Sequence, residues 1–343
     1  MKKYNVGVIG AGRIGKIHIT NIIRNIPDLK LKVVADINID VQMKEWASEI
    51  GVPLLTRDVN DIFNDPEIEV VVIASSTNTH VEFIQKAAHL KKDVFCEKPI
   101  DTDLRLIRET LEIVKSEKIK LMIGFNRRFD RNFKRVRELV ISGKIGTPQI
   151  IKVTARDPAL PSIEYIKASG GMFFDMTIHD WDMVCFQAGS EVEEVYATGA
   201  VLVDPEVGKV GDIDTAAVIL KLKNGAIGII DNSRQAVYGY DQRVEVFGSK
   251  GCAVADNEPT NTVRLYTAEK TNEDNIPYFF LERFMDSYAA ELQAFSGYLT
   301  TDEEPSPNGQ DGLRNTLVAI AAQRSFEENR PIKISEVNIL KKI

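Results

Sequence analysis

Three observations predict a two-domain α/β chain, with an N-terminal doubly wound parallel sheet and a C-terminal α+β domain holding an open, largely antiparallel sheet. Strand and helix patterns alternate over about the first 120 residues. A glycine-rich turn follows the first strand. Beyond about residue 130, strand-like stretches follow one another without helices between them. The division predicted is a dinucleotide-binding domain over 1–124 and a substrate-binding and oligomerisation domain over 125–343.

The first strand is the apolar run from Tyr4 to Ile9, broken only by Gly7. Gly10-Ala11-Gly12-Arg13-Ile14-Gly15 follows at once, and Ile14, Ile17, Ile22 and Ile23 then repeat at helical spacing. In such a turn the first glycine permits the bend, the second lets a phosphate approach the backbone, and the third lets the helix lie on the strand. The helix N-terminus would face a pyrophosphate. A second strand, Leu31–Ala35, ends in Asp36, 21 residues after Gly15. That is the place for a carboxylate that accepts from the adenosine ribose hydroxyls. Strand, glycines, helix and acid together predict a Rossmann domain that binds NAD. Asp36 is followed by Ile37 and Asn38, without a basic residue for a 2′-phosphate, so NAD is preferred over NADP.

A helix over about 40–50 comes next, then a short strand at Pro53–Thr56 and a helix capped by Asp58 or Asn60. Glu69–Ala74 is a buried strand that ends in Ser75-Ser76-Thr77-Asn78-Thr79-His80. Asp93–Cys96 is the fifth strand, ending in Glu97-Lys98-Pro99, and Lys120–Phe125 is the sixth after a helix over 104–116. Ligands of such sheets gather at the carboxyl ends of the strands. The candidate cofactor contacts are therefore Gly10, Gly12, Arg13, Ile14, Gly15, Asp36, Ser75, Thr77, Asn78, His80, Glu97 and Lys98.

In the second half a basic helix runs over about 132–142, and a strand over 149–154. A turn-rich loop leads to Gly170-Gly171 and a helix over about 174–188. Strands are expected at 192–203, 214–222, 226–232, 242–248, 251–255 and 262–266, and helices at 281–300 and 310–329. These helices suffice for one face of the sheet. The other face, with Val218, Leu220, Ile227 and Ile229 expected on it, needs a partner surface.

Composition narrows the function classes. The chain has 343 residues, 44% of them hydrophobic, and a net charge of −7. The acidic balance speaks against nucleic-acid binding, which needs a basic footprint. No apolar run approaches the ~20 residues of a membrane span. Cys96, Cys185 and Cys252 cannot all pair. With no signal-peptide pattern after Met1-Lys2-Lys3, a cytoplasmic protein is expected.

Three constellations could carry chemistry. Lys98 sits at a ligand-binding strand end, where it is either a functional cation or a solvated loop lysine. Asp175 and His179, four apart on one expected helix, would share a face. They are a base with an orienting carboxylate, or an ordinary helix pair. No further His or Cys cluster accompanies them, so no metal is expected. Arg127 follows the sixth strand and could reach cofactor or substrate. Arg128, Arg131, Lys134, Arg135 and Arg137 read as a solvated helix face, with a phosphosugar site as the alternative.

The chain resembles the glucose-fructose oxidoreductase/inositol dehydrogenase/MocA family over essentially its whole length. The carriers are the Gly10–Gly15 turn, Cys96-Glu97-Lys98-Pro99, Gly124-Phe125-Asn126-Arg127-Arg128-Phe129-Asp130, and Gly171-Met172-Phe173-Phe174-Asp175-Met176-Thr177-Ile178-His179-Asp180. Arg156-Asp157-Pro158, Tyr238-Gly239-Tyr240-Asp241 and Arg283-Phe284-Met285-Asp286-Ser287-Tyr288 look most like bacterial inositol 2-dehydrogenases. The resemblance implies an NAD-dependent polyol dehydrogenase that oxidises myo-inositol to its 2-keto product, assembled as a homotetramer. It implies His179 as the base, Lys98 beside the reacting oxygen, and Asp175 on a substrate hydroxyl. Arg127, Asp157, Tyr240 and Tyr288 are the further substrate candidates. Relatives often carry asparagine where Asp157 stands, which leaves the particular polyol open. Another sugar or scyllo-inositol is the alternative substrate, and a non-catalytic NAD-dependent regulator the alternative class.

Overall fold

A computed structural model describes residues 2–338. The chain forms two compact units, Met1–Phe129 with Asp286–Leu313, and Asp130–Met285 with Arg314–Ile343.

The first unit contains β1 (Tyr4–Ile9), α1 (Arg13–Arg24), β2 (Leu29–Ala35), α2 (Val41–Ile50), β3 (Leu55–Thr56), α3 (Asn60–Phe63), β4 (Val70–Ile73), α4 (His80–His89), β5 (Asp93–Glu97), α5 (Leu104–Glu117) and β6 (Leu121–Gly124). The six strands pair in parallel in the order β3-β2-β1-β4-β5-β6. This is the doubly wound dinucleotide-binding order, with its switch point between β1 and β4. The parallel strands are buried on both faces, so they read as unbroken apolar runs: all four residues of β4 are buried. Local chemistry sets the helix ends. Asp40 accepts from the Met43 N–H at 2.7 Å to start α2, and Gly51 closes it with φ 84°.

The close seat of α1 on β1 fixes the rest. Gly10 has φ 93°, and a Cβ on Gly15 would lie 2.1 Å from the Gly10 carbonyl oxygen. The strand therefore turns into the helix with no space for a side chain at either position.

The second unit contains α6 (Arg131–Ile141), β7 (Pro148–Arg156), α7 (Ile163–Ser169), α8 (Met172–Asp175), α9 (Ile178–Ala188), β8 (Val192–Ala200), α10 (Pro205–Lys209), β9 (Thr215–Leu222), β10 (Ile227–Ser233), β11 (Asp241–Gly248), β12 (Gly251–Ala255), β13 (Arg264–Tyr266) and β14 (Thr271–Glu273). It is completed by β15 (Ile332–Lys333) and α13 (Ile334–Asn338). Helix α11 (Phe280–Tyr298) begins in this unit and supplies Leu292 and Phe295 to the core of the first, while α12 (Gly309–Glu328) returns the chain. The large sheet runs β12-β11-β7-β10-β9-β8-β15 and is antiparallel except where β7 and β10 pair in parallel.

The structure corrects two expectations. Val218 and Leu220 are buried on the covered face of this sheet, alternating with Ile219, which is 53% exposed. The open face instead presents Ile219, Ile227, Phe247 and Val254. An apolar run longer than the alternation period does not show which face is which. The loop before Gly170 also holds a short helix, α7, which Ser162 starts by accepting from Tyr165 N–H.

Gly15→Ala should lower stability by about 1–3 kcal/mol, the usual cost of forcing atoms into a packed contact. Urea denaturation measures it, and an unchanged midpoint would contradict the close α1–β1 seat.

Candidate active site

In the first unit the candidate cofactor residues sit where β1, β2, β4 and β5 end. Helix α1 starts at Gly12 with no side-chain cap, and nothing lies within 4 Å of where a Gly12 Cβ would stand. The turn at Arg13 and Ile14 is thus open to an anion approaching the helix N-terminus. Asp36 is held by two backbone donors, Ala11 N–H at 2.6 Å to Oδ2 and Asn38 N–H at 2.7 Å to Oδ1. Each carboxylate oxygen keeps acceptor capacity for a ribose hydroxyl. The glycine turn and Asp36 are therefore physically linked, a contact that sequence spacing alone does not reveal.

Ser75 follows β4, and its Oγ lies 2.7 Å from Thr79 Oγ1 across a 3-10 turn holding Thr77 and Asn78. His80 is buried. Its Nδ1 lies 2.8 Å from the Pro99 carbonyl and its Nε2 3.0 Å from the Ser75 carbonyl. The ring thus braces the turns that follow β4 and β5. Burial holds it below the usual histidine range, against the pull of those two carbonyls. Glu97 ends β5 and points into the unit, with Oε1 2.7 Å from His18 Nε2. Lys98 is half-buried, and the Lys98–Pro99 bond is cis. Arg127 is buried in the turn after β6, and Arg128 pairs with Asp311 at 3.3 Å. Tyr288, on α11, packs its ring 5.9 Å from that of His18.

In the second unit Asp175 and His179 do not share one helix. Asp175 closes α8 and His179 is the second residue of α9, with Met176 and Thr177 between. Thr177 makes the break. Its N–H donates to the Met172 carbonyl at 3.0 Å, and its Oγ1 lies 2.8 Å from Asn232 Oδ1. Asn232 in turn donates to Asp180 Oδ2 at 2.7 Å, with Asp180 fully buried. The start of α9 is therefore pinned to β10 by a chain of side-chain bonds. No glycine or proline marks the break, so periodicity reads through it.

Asp175 has a built environment. Tyr165 donates its hydroxyl to Oδ1 at 2.8 Å, and Arg234 Nη1 lies 3.5 Å from Oδ2. Arg234 is 1% exposed and also faces Asp212 at 3.7 Å, whose Oδ1 accepts from Met172 N–H. A buried guanidinium between two carboxylates keeps local charge compensated and orients both. Sequence reasoning missed Tyr165, Arg234, Asp212 and Asn232, which come from separate elements with no spacing to link them. His18 and Glu291 were also missed, though each is a polar residue at a core position of an apolar helix stripe.

Asp157 follows β7 and is half-buried, its N–H donating to Ser233 O at 2.9 Å and its carbonyl accepting from Ala236 N–H. Tyr240 is buried edge-on against Phe284, with ring centres 5.9 Å apart. Other members of the three inositol-dehydrogenase-like stretches do structural work. Arg156 bonds Asp231 at 2.7 Å and Tyr238 at 3.1 Å on the open sheet face, and Tyr238 bonds Asp241. Arg283 pairs with Asp130, which caps α6. Arg131, Lys134 and Arg135 lie exposed on α6, as a solvated helix face. Among the described residues, one group of three ligand-type side chains gathers, His18, Glu97 and Glu291, all in the first unit.

Comparison with known proteins shows the family of both halves of the chain. Residues 4–125 match the model of an oxidoreductase family with an NAD-binding Rossmann fold, and residues 133–254 match the GFO/IDH/MocA C-terminal domain. The chain is 48% identical to the myo-inositol 2-dehydrogenase of Thermotoga maritima over 97% of its own length and 99% of the relative's. Its fold is similar to that of a myo-inositol dehydrogenase from Corynebacterium glutamicum, with TM-score 0.91 and 38% identity over 99% of this chain and all of that one. It is also similar to a scyllo-inositol dehydrogenase from Lactobacillus casei solved with NAD(H) and scyllo-inositol, with TM-score 0.90 and 31% identity, over 97% of this chain and all of that one. With both halves matched, the chain belongs to the GFO/IDH/MocA family of NAD-binding oxidoreductases.

Proposed function

We propose that this chain oxidises a neutral cyclic polyol at one secondary hydroxyl, with myo-inositol converted at carbon 2 to its 2-keto product. The observation that carries this reading is the full-length similarity to a myo-inositol 2-dehydrogenase at 48% identity. NAD, when bound, supplies the hydride acceptor. The Gly10–Gly15 turn, the α1 N-terminus and Asp36 would hold it. Loss of hydride from the carbon leaves the hydroxyl proton to remove, and His179 is the base that takes it. Lys98 stabilises negative charge as it develops on the oxygen. Asp175, oriented by Tyr165 and Arg234, accepts from a neighbouring hydroxyl. Asp157, Tyr240, Tyr288 and Arg127 are assigned to the remaining hydroxyls. Residues committed to hydrogen bonds reject analogues that leave them unpaired, so deoxy analogues should be poor substrates.

Steady-state assays with NAD and myo-inositol, scyllo-inositol, D-glucose and D-glucose 6-phosphate test this reading. The highest kcat/KM is expected for myo-inositol. A preference for scyllo-inositol would move the assignment to that epimer, and a preference for the phosphorylated sugar would overturn it. No turnover with any of them, but NAD binding, would favour a regulator.

Lys98→Ala and His179→Ala should each lower kcat by about 10²–10⁴-fold, the usual contribution of a positioned acid–base group. NAD affinity should change little in His179→Ala. Near-full turnover in that variant would remove His179 from the base role.

The open sheet face is assigned to self-association, with Ile219, Ile227, Phe247 and Val254 as its apolar centre. The family resemblance extends this to a homotetramer, working in the reduced cytoplasm. Light scattering should report an oligomer, and a stable monomer at micromolar concentration would contradict the assignment.

A further inference from the structure

Behind the Lys98 turn lies a buried group that the reaction does not use. His18 of α1 and Glu291 of α11 are both fully buried, and Glu97 ends β5 between them. One ligand-type atom from each lies within 4.8 Å of the other two. His18 Nε2 is 2.7 Å from Glu97 Oε1. Neither oxygen of Glu291 has a hydrogen-bond partner. Apolar rings close the site: the His18 ring stands 5.0 Å from Phe95, which packs 5.8 Å from Phe295. Strand β6 presses from its own side, for the Glu97 carboxyl lies 3.0 Å from where a Cβ on Gly124 would be.

Two carboxyl groups this close, in apolar surroundings, do not both ionise. Glu97 is the one with a partner, so Glu291 is the one that keeps its proton. Burial first, then the nearby charge of Glu97, pushes the Glu291 acid well above its ordinary range. The groups that face it are His18 from α1 and Glu97 from β5, and Tyr288, one turn earlier on α11, packs its ring against that of His18. The same three ligand-type residues could suggest a metal. The His18–Glu97 separation decides against it: 2.7 Å is a hydrogen bond, whereas two ligands of one tetrahedral zinc stand about 3.3 Å apart.

We propose that His18, Glu97 and Glu291 form a cluster in which Glu291 keeps its proton, and that this cluster positions Lys98. Lys98 is the next residue after Glu97, in the bend that follows β5, so anchoring Glu97 fixes the point from which Lys98 departs. Ionisation of Glu291 would set a second charge against Glu97 and loosen the anchor. Glu97, His18 and Glu291 are positioning residues in this scheme, which rests on the assignment of Lys98 to the reaction.

The sign of the pH effect follows. Above about pH 4.3 the unfolded chain has released the Glu291 proton, while the folded chain keeps it. The folded state thus binds more protons, and stability falls as pH rises. Glu291→Gln carries no such proton. Its Tm should gain on the unmodified protein as pH rises from about 5 to about 8. Infrared difference spectra at neutral pH, unmodified protein minus Glu291→Gln, should show the C=O stretch of a protonated carboxyl. Glu291→Ala should lose about 10- to 100-fold in kcat, as expected of misplacement near the chemistry. Glu291→Gln, which keeps the shape and a proton-bearing group, should recover most of that loss and carry kcat to higher pH before it declines. Absence of the protonated-carboxyl band, an alkaline limb shared by Glu291→Gln and the unmodified protein, or a stoichiometric bound metal would each overturn the proposal. Full turnover in Lys98→Ala would instead refute the role of Lys98, and the infrared band would persist.

Discussion

The Gly10 carbonyl occupies the space that any side chain on Gly15 would need, and much of the first unit depends on that contact. It seats α1 directly on the end of β1 and aims its uncapped N-terminus over the sheet edge. The same turn presents the Ala11 N–H that holds Asp36, so the glycine turn and the carboxylate at the end of β2 share one rigid feature. One turn further along α1, His18 reaches Glu97 at the end of β5. A single helix position thereby sets both the cofactor edge and the strand that delivers Lys98.

The second unit reaches its geometry differently. Its site does not rest on a backbone contact but on buried polar side chains. Thr177, Asn232 and Asp180 stitch the start of α9 to β10, and Arg234 stands behind Asp175 with Asp212 as its second partner. Such networks are costly when half satisfied and specific when complete. They hold the carboxylate and the histidine on separate short helices, where a continuous helix would turn them by its own pitch.

What the sequence shows and what it hides divide along the same line. The glycine turn, the acid at the end of β2 and the six strands of a parallel sheet were legible because each rests on local pattern and spacing. So was the antiparallel character of the second sheet, because strands without intervening helices leave few alternatives. The helix break at Met176–Thr177 was not, since its cause lies 55 residues away in Asn232. Arg234 and Tyr165 carry no pattern that links them to Asp175. The two faces of the large sheet were also confused, for Val218, Ile219 and Leu220 form an unbroken apolar run and only the register tells them apart.

The central claim is that one hydride leaves carbon 2 of a cyclic polyol for the nicotinamide while His179 takes the hydroxyl proton. Myo-inositol deuterated at carbon 2 tests it most directly. On incubation with NAD and the enzyme, mass spectrometry of the reduced cofactor should find the deuterium on the nicotinamide ring, transferred without exchange with water. An unlabelled reduced nicotinamide, formed while the inositol is consumed, would contradict the account.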